Sequence, residues 1–395
     1  MKPKIAIIIE RSDVALGGAE RSVSELAEAI GAIGYETHIL AAKGQATAAN
    51  VHILCADAGG KRTSYQIFGD ALKKHIEQTH YDILHSVLPF DFADIYQPRS
   101  GTFAESIIRK AETHRCQLFR AIKKNTAFFN FRRTAWFNAE RRLSEGQNGP
   151  LVIAISNYVA EQFRTHYHIP ENRMVVIPNG IKPAGRLDKS EVDSLRAKLL
   201  TQLDSEKTNN AVLFLFVGHD FQRKGLDCLI EAIVQLQKTD DNTPARLIVA
   251  GRANATAYSR LAAKLGVGDK IVFLGDVKKI QEFIAAADVA VLPTFDDPCS
   301  RFILEALAAG KPVITTKFNG AVDLFTDNRH GKAIDDPRDI AALSEAMGYF
   351  TNRENLNMAA QAVIGDNLRQ NVSVARVAQQ LKAVYDELLK MKGQR

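Results

Sequence analysis

The chain has 395 residues, too many for one ordinary hydrophobic core, and a prior of roughly 150 residues per domain predicts two domains. With 46% hydrophobic and 24% charged residues it is neither disordered nor fibrous, and no run approaches the roughly 18 apolar residues of a spanning helix. The net charge of +6 is unevenly placed, because Arg109 to Arg142 carries ten Lys and Arg against two Glu.

In chain order, MKPKIAIIIE has an apolar run of about five residues before charge, too short for a secretory signal, so no export signal is expected. Ile5 to Glu10 reads as a buried parallel strand, followed by a loop ending in Gly17-Gly18 and a helix from Ala19 to about Ile33. The rhythm repeats through ETHILAA, a strand near Val51 to Cys55, a helix from about Ser64 to Thr79, DILHS, LVIAIS and a helix from Asn157 to His166. Such alternation predicts an α/β, doubly wound parallel sheet. MVVIPNGIKPAGR supplies a proline and glycine boundary, after which AVLFLFVG, RLIVAG, KIVFLG, DVAVLP and PVITT alternate with helices in a second sheet. The expected division is 1–180 and 181–372, with the amphipathic helix of 373–395 a candidate to pack back on the first domain. Cys55, Cys116, Cys228 and Cys299 lack metal-ligand or CxxC spacing, and predict core side chains in a reducing compartment with no structural zinc.

Two Rossmann-like halves could also make a dehydrogenase, but neither GGAER nor VGHDFQRKG is GxGxxG with an acid about twenty positions on. Gly17 and Gly18 would let backbone N–H groups approach an anion at the first helix, although a ligand-free tight turn fits them equally well. In VGHDFQRKGLDCLIEAI a strand ends at Gly218, and Arg223 and Lys224 open the next helix. Cations cost about 0.3 to 1 kcal/mol each beside a helix N-terminus unless an anion neutralises them, so a phosphate or diphosphate is the natural occupant. A solvated basic turn is the plainer alternative. In FDDPCSRFILEALAAGKP, Ser300 reads as the N-cap and Arg301 to Ala309 as a helix stopped by Gly310, with Asp297 in the preceding loop. Glu305 lies about a turn inside this apolar helix and needs a polar partner if buried.

These segments, with AISNYVAEQF through VIPNGI and the glycine of FNGAVDLF, span nearly the whole chain and resemble the GT-B glycosyltransferases of family 4. Within that family the resemblance is to enzymes that glucosylate the heptose of the lipopolysaccharide core. It implies two Rossmann-like domains facing across a nucleotide-sugar cleft, a UDP-sugar donor, a glycolipid or oligosaccharide acceptor, retention at the anomeric carbon, and no metal or other cofactor. It further implies that Arg223 and Lys224 grip the donor diphosphate, and that Asp297 and Glu305 are the ends of an E-x7-E motif facing sugar hydroxyls and ribose. Backbone N–H groups around Cys299, Ser300, Arg301 and Phe302 would meet sugar and phosphate, Gly18 would close the pocket, and Arg252 and Val277 would flank the base.

The chain departs from the family twice. Asp297 is one methylene shorter than the usual Glu, and Ser100 in QPRSGTFAES stands where relatives often carry His or Asp, which leaves no evident enzymatic base. A mechanism in which a departing phosphate oxygen takes the acceptor proton needs none, because positioning and charge stabilisation then carry the catalysis. An epimerase of the same fold and a non-catalytic nucleotide- and membrane-binding protein stay open at this point. The basic segment, with Phe119, Phe128, Phe129, Phe131, Trp136 and Phe137, reads either as a long helix with a buried aromatic face or as a surface for anionic lipid. The second reading predicts a peripheral protein on the cytoplasmic face of a membrane. No nucleic-acid motif accompanies the segment, so no nucleic-acid partner is expected.

Overall fold

The computed structural model describes residues 2–15, 17–56, 63–126, 130–145, 148–203, 211–239 and 245–394. The chain divides into two compact units, Met1–Lys182 with Val374–Arg395, and Pro183–Ser373.

Unit 1 runs β1 (Lys4–Arg11), α1 (Gly18–Ala32), β2 (Glu36–Lys43), β3 (Val51–Ile53), α2 (Tyr65–Gln78), β4 (Ile83–Ser86) and β5 (Ile95–Tyr96). It continues with α3 (Phe103–Glu112), α4 (Gln117–Thr126), α5 (Phe131–Glu145), β6 (Leu151–Ala154), α6 (Asn157–Tyr167) and β7 (Met174–Val176). The sheet order is β3-β2-β1-β4-β5-β6-β7, and every neighbouring pair is parallel. Period-two alternation in β1 sends Ile5, Ile7 and Ile9 into one core and Ala6 and Ile8 into the other. The first core is completed by α1 and by Val374, Val377, Ala378, Leu381 and Tyr385 of the C-terminal helix, the second by Phe68 and Leu72 of α2 and by Trp136 of α5.

His85 and Glu140 are fully buried in this unit. Tyr385 Oη donates to His85 Nδ1 (2.6 Å), and His85 Nε2 donates to the Gln97 side-chain oxygen (3.1 Å), so the imidazole is neutral with its proton on Nε2. Burial pushes its pKa down to about 3. Glu140 of α5 accepts from Tyr96 Oη (2.7 Å), Tyr167 Oη (2.7 Å) and the Phe103 amide (2.6 Å), while burial pushes its carboxyl up to about 7.

The basic segment is three helices rather than one long one. Thr113 Oγ1 donates to the Lys110 carbonyl (2.8 Å) as α3 closes, and Asn130 Oδ1 accepts the Arg133 amide (3.1 Å) to open α5. Such side-chain bonds to the backbone compete with helix continuation. Trp136 is buried as the aromatic-face reading expected, but Leu118, Phe119, Ile122 and Phe131 are exposed, Phe131 at 89%. Phe128 and Phe129 lie outside the described residues. Cys116 is likewise exposed and not a core side chain, whereas Cys55, Cys228 and Cys299 are buried.

Unit 2 runs α7 (Lys189–Gln202), β8 (Val212–Val217), α8 (Leu226–Thr239), β9 (Ala245–Ala250), α9 (Thr256–Lys264), β10 (Ile271–Gly275), α10 (Ile280–Ala286) and β11 (Val289–Leu292). It then adds α11 (Arg301–Ala308), β12 (Val313–Thr316), β13 (Gly331–Ile334), α12 (Ile340–Thr351), α13 (Arg353–Gly365) and α14 (Leu368–Asn371), before α15 (Val374–Gly393) returns to unit 1. Its sheet order is β10-β9-β8-β11-β12-β13, again parallel throughout. Both sheets therefore show the order of a doubly wound Rossmann-like fold, as expected from the alternation of strands and helices. The order reverses between β1 and β4 in unit 1 and between β8 and β11 in unit 2.

Glu140 generates a stability prediction. Between an unfolded value near about 4.3 and the folded value of about 7, the folded chain holds one proton more than the unfolded chain, so this group's contribution falls as pH rises through that window. Glu140→Ala leaves two hydroxyls and an amide without their acceptor and should destabilise unit 1 by about 3 kcal/mol. Chemical denaturation should show a larger loss at pH 5 than at pH 8, and the reverse order would refute the assignment.

Candidate active site

Ligands of open parallel sheets bind beyond the carboxyl ends of the strands where the order reverses. In unit 2 those ends are the loop from Gly218 to Gly225 after β8 and the loop from Pro293 to Ser300 after β11. The first is a compact turn in which the amides of Lys224 and Leu226 donate to the carbonyls of Asp220 (2.9 Å) and Phe221 (3.0 Å). Gly225 has φ +73°, and a Cβ there would lie 2.1 Å from the Pro293 carbonyl oxygen. Only glycine lets the two loops touch at this point.

The loops are also joined by hydrogen bonds. The Arg223 carbonyl accepts from the Phe295 amide (2.9 Å) and from Thr294 Oγ1 (3.2 Å), while Arg223 Nη1 donates to the Asp296 carbonyl (3.1 Å). Lys224, only 8% exposed, pairs its Nζ with Asp297 Oδ2. Burial lowers the Lys224 pKa, and the Asp297 carboxylate partly offsets that effect. The basic turn read from sequence is thus neither solvated nor neutralised only by a ligand. A protein carboxylate already accompanies each of its two cations, Asp297 beside Lys224 and Asp220 3.5 Å from Arg223 Nε.

Asn319 organises the rest of the site. Fully buried, it accepts the Ser300 amide (3.1 Å) and the Ala321 amide (3.1 Å) at Oδ1 and donates from Nδ2 to Thr315 Oγ1 (2.8 Å). The Asp297 amide donates to the Phe318 carbonyl, and the Asp297 carbonyl accepts from Gly320, both at 2.9 Å. The entrance of α11 is therefore fixed to the end of β12. Ser300 occupies the N-cap position, but its hydroxyl makes no capping bond, a correction to the expected N-cap role. Thr316 Oγ1 donates to the Thr294 carbonyl (2.6 Å), bracing the β11 loop from below.

Glu305 is neither buried alone nor solvated. Its Oε1 lies 3.4 Å from Arg301 Nη2, and the two side chains are 12% and 13% exposed. The i,i+4 spacing puts both on one edge of α11, while Phe302 and Ile303 are buried beside them. Cys299 is buried in the same loop. Arg252 lies beyond β9 in an exposed pair with Asp276 (3.0 Å), and Val277, half-buried, follows two residues beyond β10. Gly218, Arg252 and Val277 thus follow three adjacent strands.

In unit 1, Gly17 is the extended N-cap of α1 and Gly18 its first residue. Glu20 in that first turn pairs with Arg11 (3.0 Å) at the end of β1. Ser100 is exposed in a turn after β5, and its neighbour Arg99 donates to Asn179 Oδ1 (2.6 Å). The described Ser100 has no histidine or carboxylate bonded to it. Asn319, Thr294 and Thr316 were not singled out from sequence, although Asn before Gly in FNG is an Asx-turn signal. Among the described residues, no group of three His, Cys, Asp or Glu is placed to hold a metal ion.

Comparison with known proteins bears on the family and the fold. Residues 201–364 match the glycosyl transferases group 1 family, and residues 16–184 match glycosyltransferase family 4. The lipopolysaccharide glucosyltransferase WaaG of Escherichia coli strain K12 is 24% identical over 349 residues, covering 87% of this chain and 88% of its own length. A crystal structure of WaaG, a glycosyltransferase involved in lipopolysaccharide biosynthesis, superposes with a TM-score of 0.73 at 21% identity, over 96% of this chain and 99% of the other. That of Anabaena HepE in complex with UDP-glucose gives 0.68 at 17% identity, over 97% and 99%. The structural likeness establishes the GT-B fold.

Gly225→Ala should destabilise unit 2 by about 2 kcal/mol or more, since the added methyl group meets a backbone oxygen at a positive φ. A thermal midpoint within about a degree of the parent would show that the two loops do not depend on this contact.

Proposed function

The chain belongs to the glycosyltransferases of group 1 and family 4, and on that premise we propose that it moves a hexose, glucose by preference, from a UDP-sugar to a lipid-linked saccharide such as lipopolysaccharide-core heptose. The observation that carries the reading is the Lys224 ammonium, held by Asp297 at the sheet's switch point beside the entrance of α11. An ammonium has three N–H donors and spends one on Asp297, so two remain for oxygens of the donor diphosphate. The Arg223 side chain, 35% exposed and anchored through Nη1, adds a second cation for the leaving phosphate. Backbone N–H groups at the start of α11 add fixed positive dipoles. Glu305 accepts from the ribose hydroxyls and Asp297 from the sugar, while Arg252 and Val277 border the base.

In the proposed retaining transfer, the acceptor hydroxyl attacks the anomeric carbon on the face that UDP leaves. The bond from that carbon to the phosphate oxygen breaks, the new glycosidic bond forms, and the hydroxyl proton passes to the departing phosphate. Ser100 then needs no role as a base, which fits its exposed and unassisted position. Arg223 and Lys224 carry the countercharge, so the reading requires neither a metal nor another cofactor.

The acceptor reading extends to the membrane. No described helix is long and apolar enough to cross a bilayer. In α4, however, Leu118, Phe119 and Ile122 are 68%, 57% and 45% exposed and share a ten-residue helix with Arg120, Lys123 and Lys124. An amphipathic helix of this kind suits the headgroup boundary of an anionic leaflet, where a glycolipid acceptor would lie.

Lys224→Ala should lower turnover of UDP-glucose by about 10²-fold or more, read as UDP release with and without acceptor. Near-parental turnover would remove Lys224 from the leaving group, and no UDP release from the parent would favour a non-catalytic protein. Glu305→Ala should weaken UDP binding in calorimetry; an unchanged affinity would separate it from the ribose. Vesicle binding should rise with anionic lipid and fall with salt, and indifference to both would sink the membrane assignment.

A further inference from the structure

A pocket of about 230 Å³ opens where α3, α4 and α5 meet. Its floor is apolar, from Ile107 at 7% exposure and Ala111 at 1%, and its wall carries Lys110, Lys123 and Arg133. Helical spacing converges these residues: Ile107, Lys110 and Ala111 are three and four apart on α3, and Asn130 caps α5 three residues before Arg133.

The neighbouring charges are largely spoken for. Arg109 pairs with Glu105 (2.5 Å), Arg120 and Lys124 share Glu112 (3.0 and 2.9 Å), Arg132 pairs with Glu10, and Arg141 pairs with Glu145 (2.7 Å). Lys110, Lys123 and Arg133 have no acidic partner among the described residues. Three like charges lining one small pocket repel one another unless an anion joins them. Asn130 spends its Oδ1 on the Arg133 amide and keeps its Nδ2 as a donor on the same wall. A phosphate group, with several acceptor oxygens and up to two negative charges, matches three cations and an amide donor.

We propose that this pocket binds a phosphate group, and that the phosphate is the headgroup of an anionic lipid. Only the lipid source rests on the membrane reading of the segment. The exposed Leu118, Phe119 and Ile122 of α4 provide the apolar surface that the rest of such an amphiphile would meet. A carboxylate of equal charge presents fewer oxygens to the same donors, so the pocket discriminates by headgroup and not by charge alone.

The full chain, saturated with UDP to occupy the donor site, is tested against phosphatidylcholine vesicles brought to equal surface charge with phosphatidic acid or with oleic acid. The parent should bind the phosphatidic acid vesicles about fivefold or more tightly than the oleate vesicles. Lys123→Gln should abolish that preference, whereas Arg142→Gln, which removes a cation outside the pocket, should preserve it. Line broadening of inorganic phosphate in ³¹P NMR, lost in Lys123→Gln, tests the soluble source separately. Broadening without any vesicle binding supports the pocket, with a soluble phosphate as its ligand, and sinks the membrane reading. Equal binding to both vesicle types without broadening overturns the pocket and leaves the membrane reading standing. Equal losses in the two variants would likewise reduce the pocket to diffuse surface charge.

Discussion

A lysine ammonium can be buried at modest cost only beside a carboxylate, and in unit 2 that requirement ties together two loops 73 residues apart. Lys224 comes from the turn after β8 and Asp297 from the loop after β11, the two strands between which the sheet changes direction. Each further contact preserves their approach. Gly225 leaves room for the Pro293 carbonyl, the Arg223 carbonyl receives two donors from the facing loop, and Asn319 holds the entrance of α11. The result is a buried cation whose position is fixed by the protein's own contacts.

Unit 1 meets the same physical problem with other groups. Glu140 is buried by surrounding it with two tyrosine hydroxyls and an amide, and His85 by keeping it neutral between Tyr385 and Gln97. These contacts have different consequences for the basic segment. α5 is held inward by Glu140 and Trp136, whereas α4 has no buried residue and is tied to α3 through Glu112. An anchored helix and an exposed one can therefore occur within a single run of basic and aromatic residues.

Much of the fold was legible because parallel strands buried on both faces are written as continuous apolar runs, with glycine where the chain must turn tightly. The helix beginning near Ala19 was placed within about a residue, as was the one carrying Glu305. The segment 109–142 was harder to divide, because its breaks depend on Thr113 and Asn130 bonding to nearby backbone, and either residue could also have pointed to solvent inside a longer helix. Residue types in the site were similarly accessible: two cations at a helix entrance and two carboxylates eight positions apart are features of the text itself.

What the sequence determined by itself was the kind of chain, the rhythm of two parallel sheets and the loops that bear charge, since these follow from local periodicity and turn chemistry. Tertiary structure alone decided the partners. It paired Lys224 with Asp297, recruited the unmarked Asn319, and left α4 exposed beside an anchored α5. Partnership and burial depend on which distant residues arrive at the same place, and that is fixed by the packing of whole sheets and helices, beyond the reach of spacing along the chain.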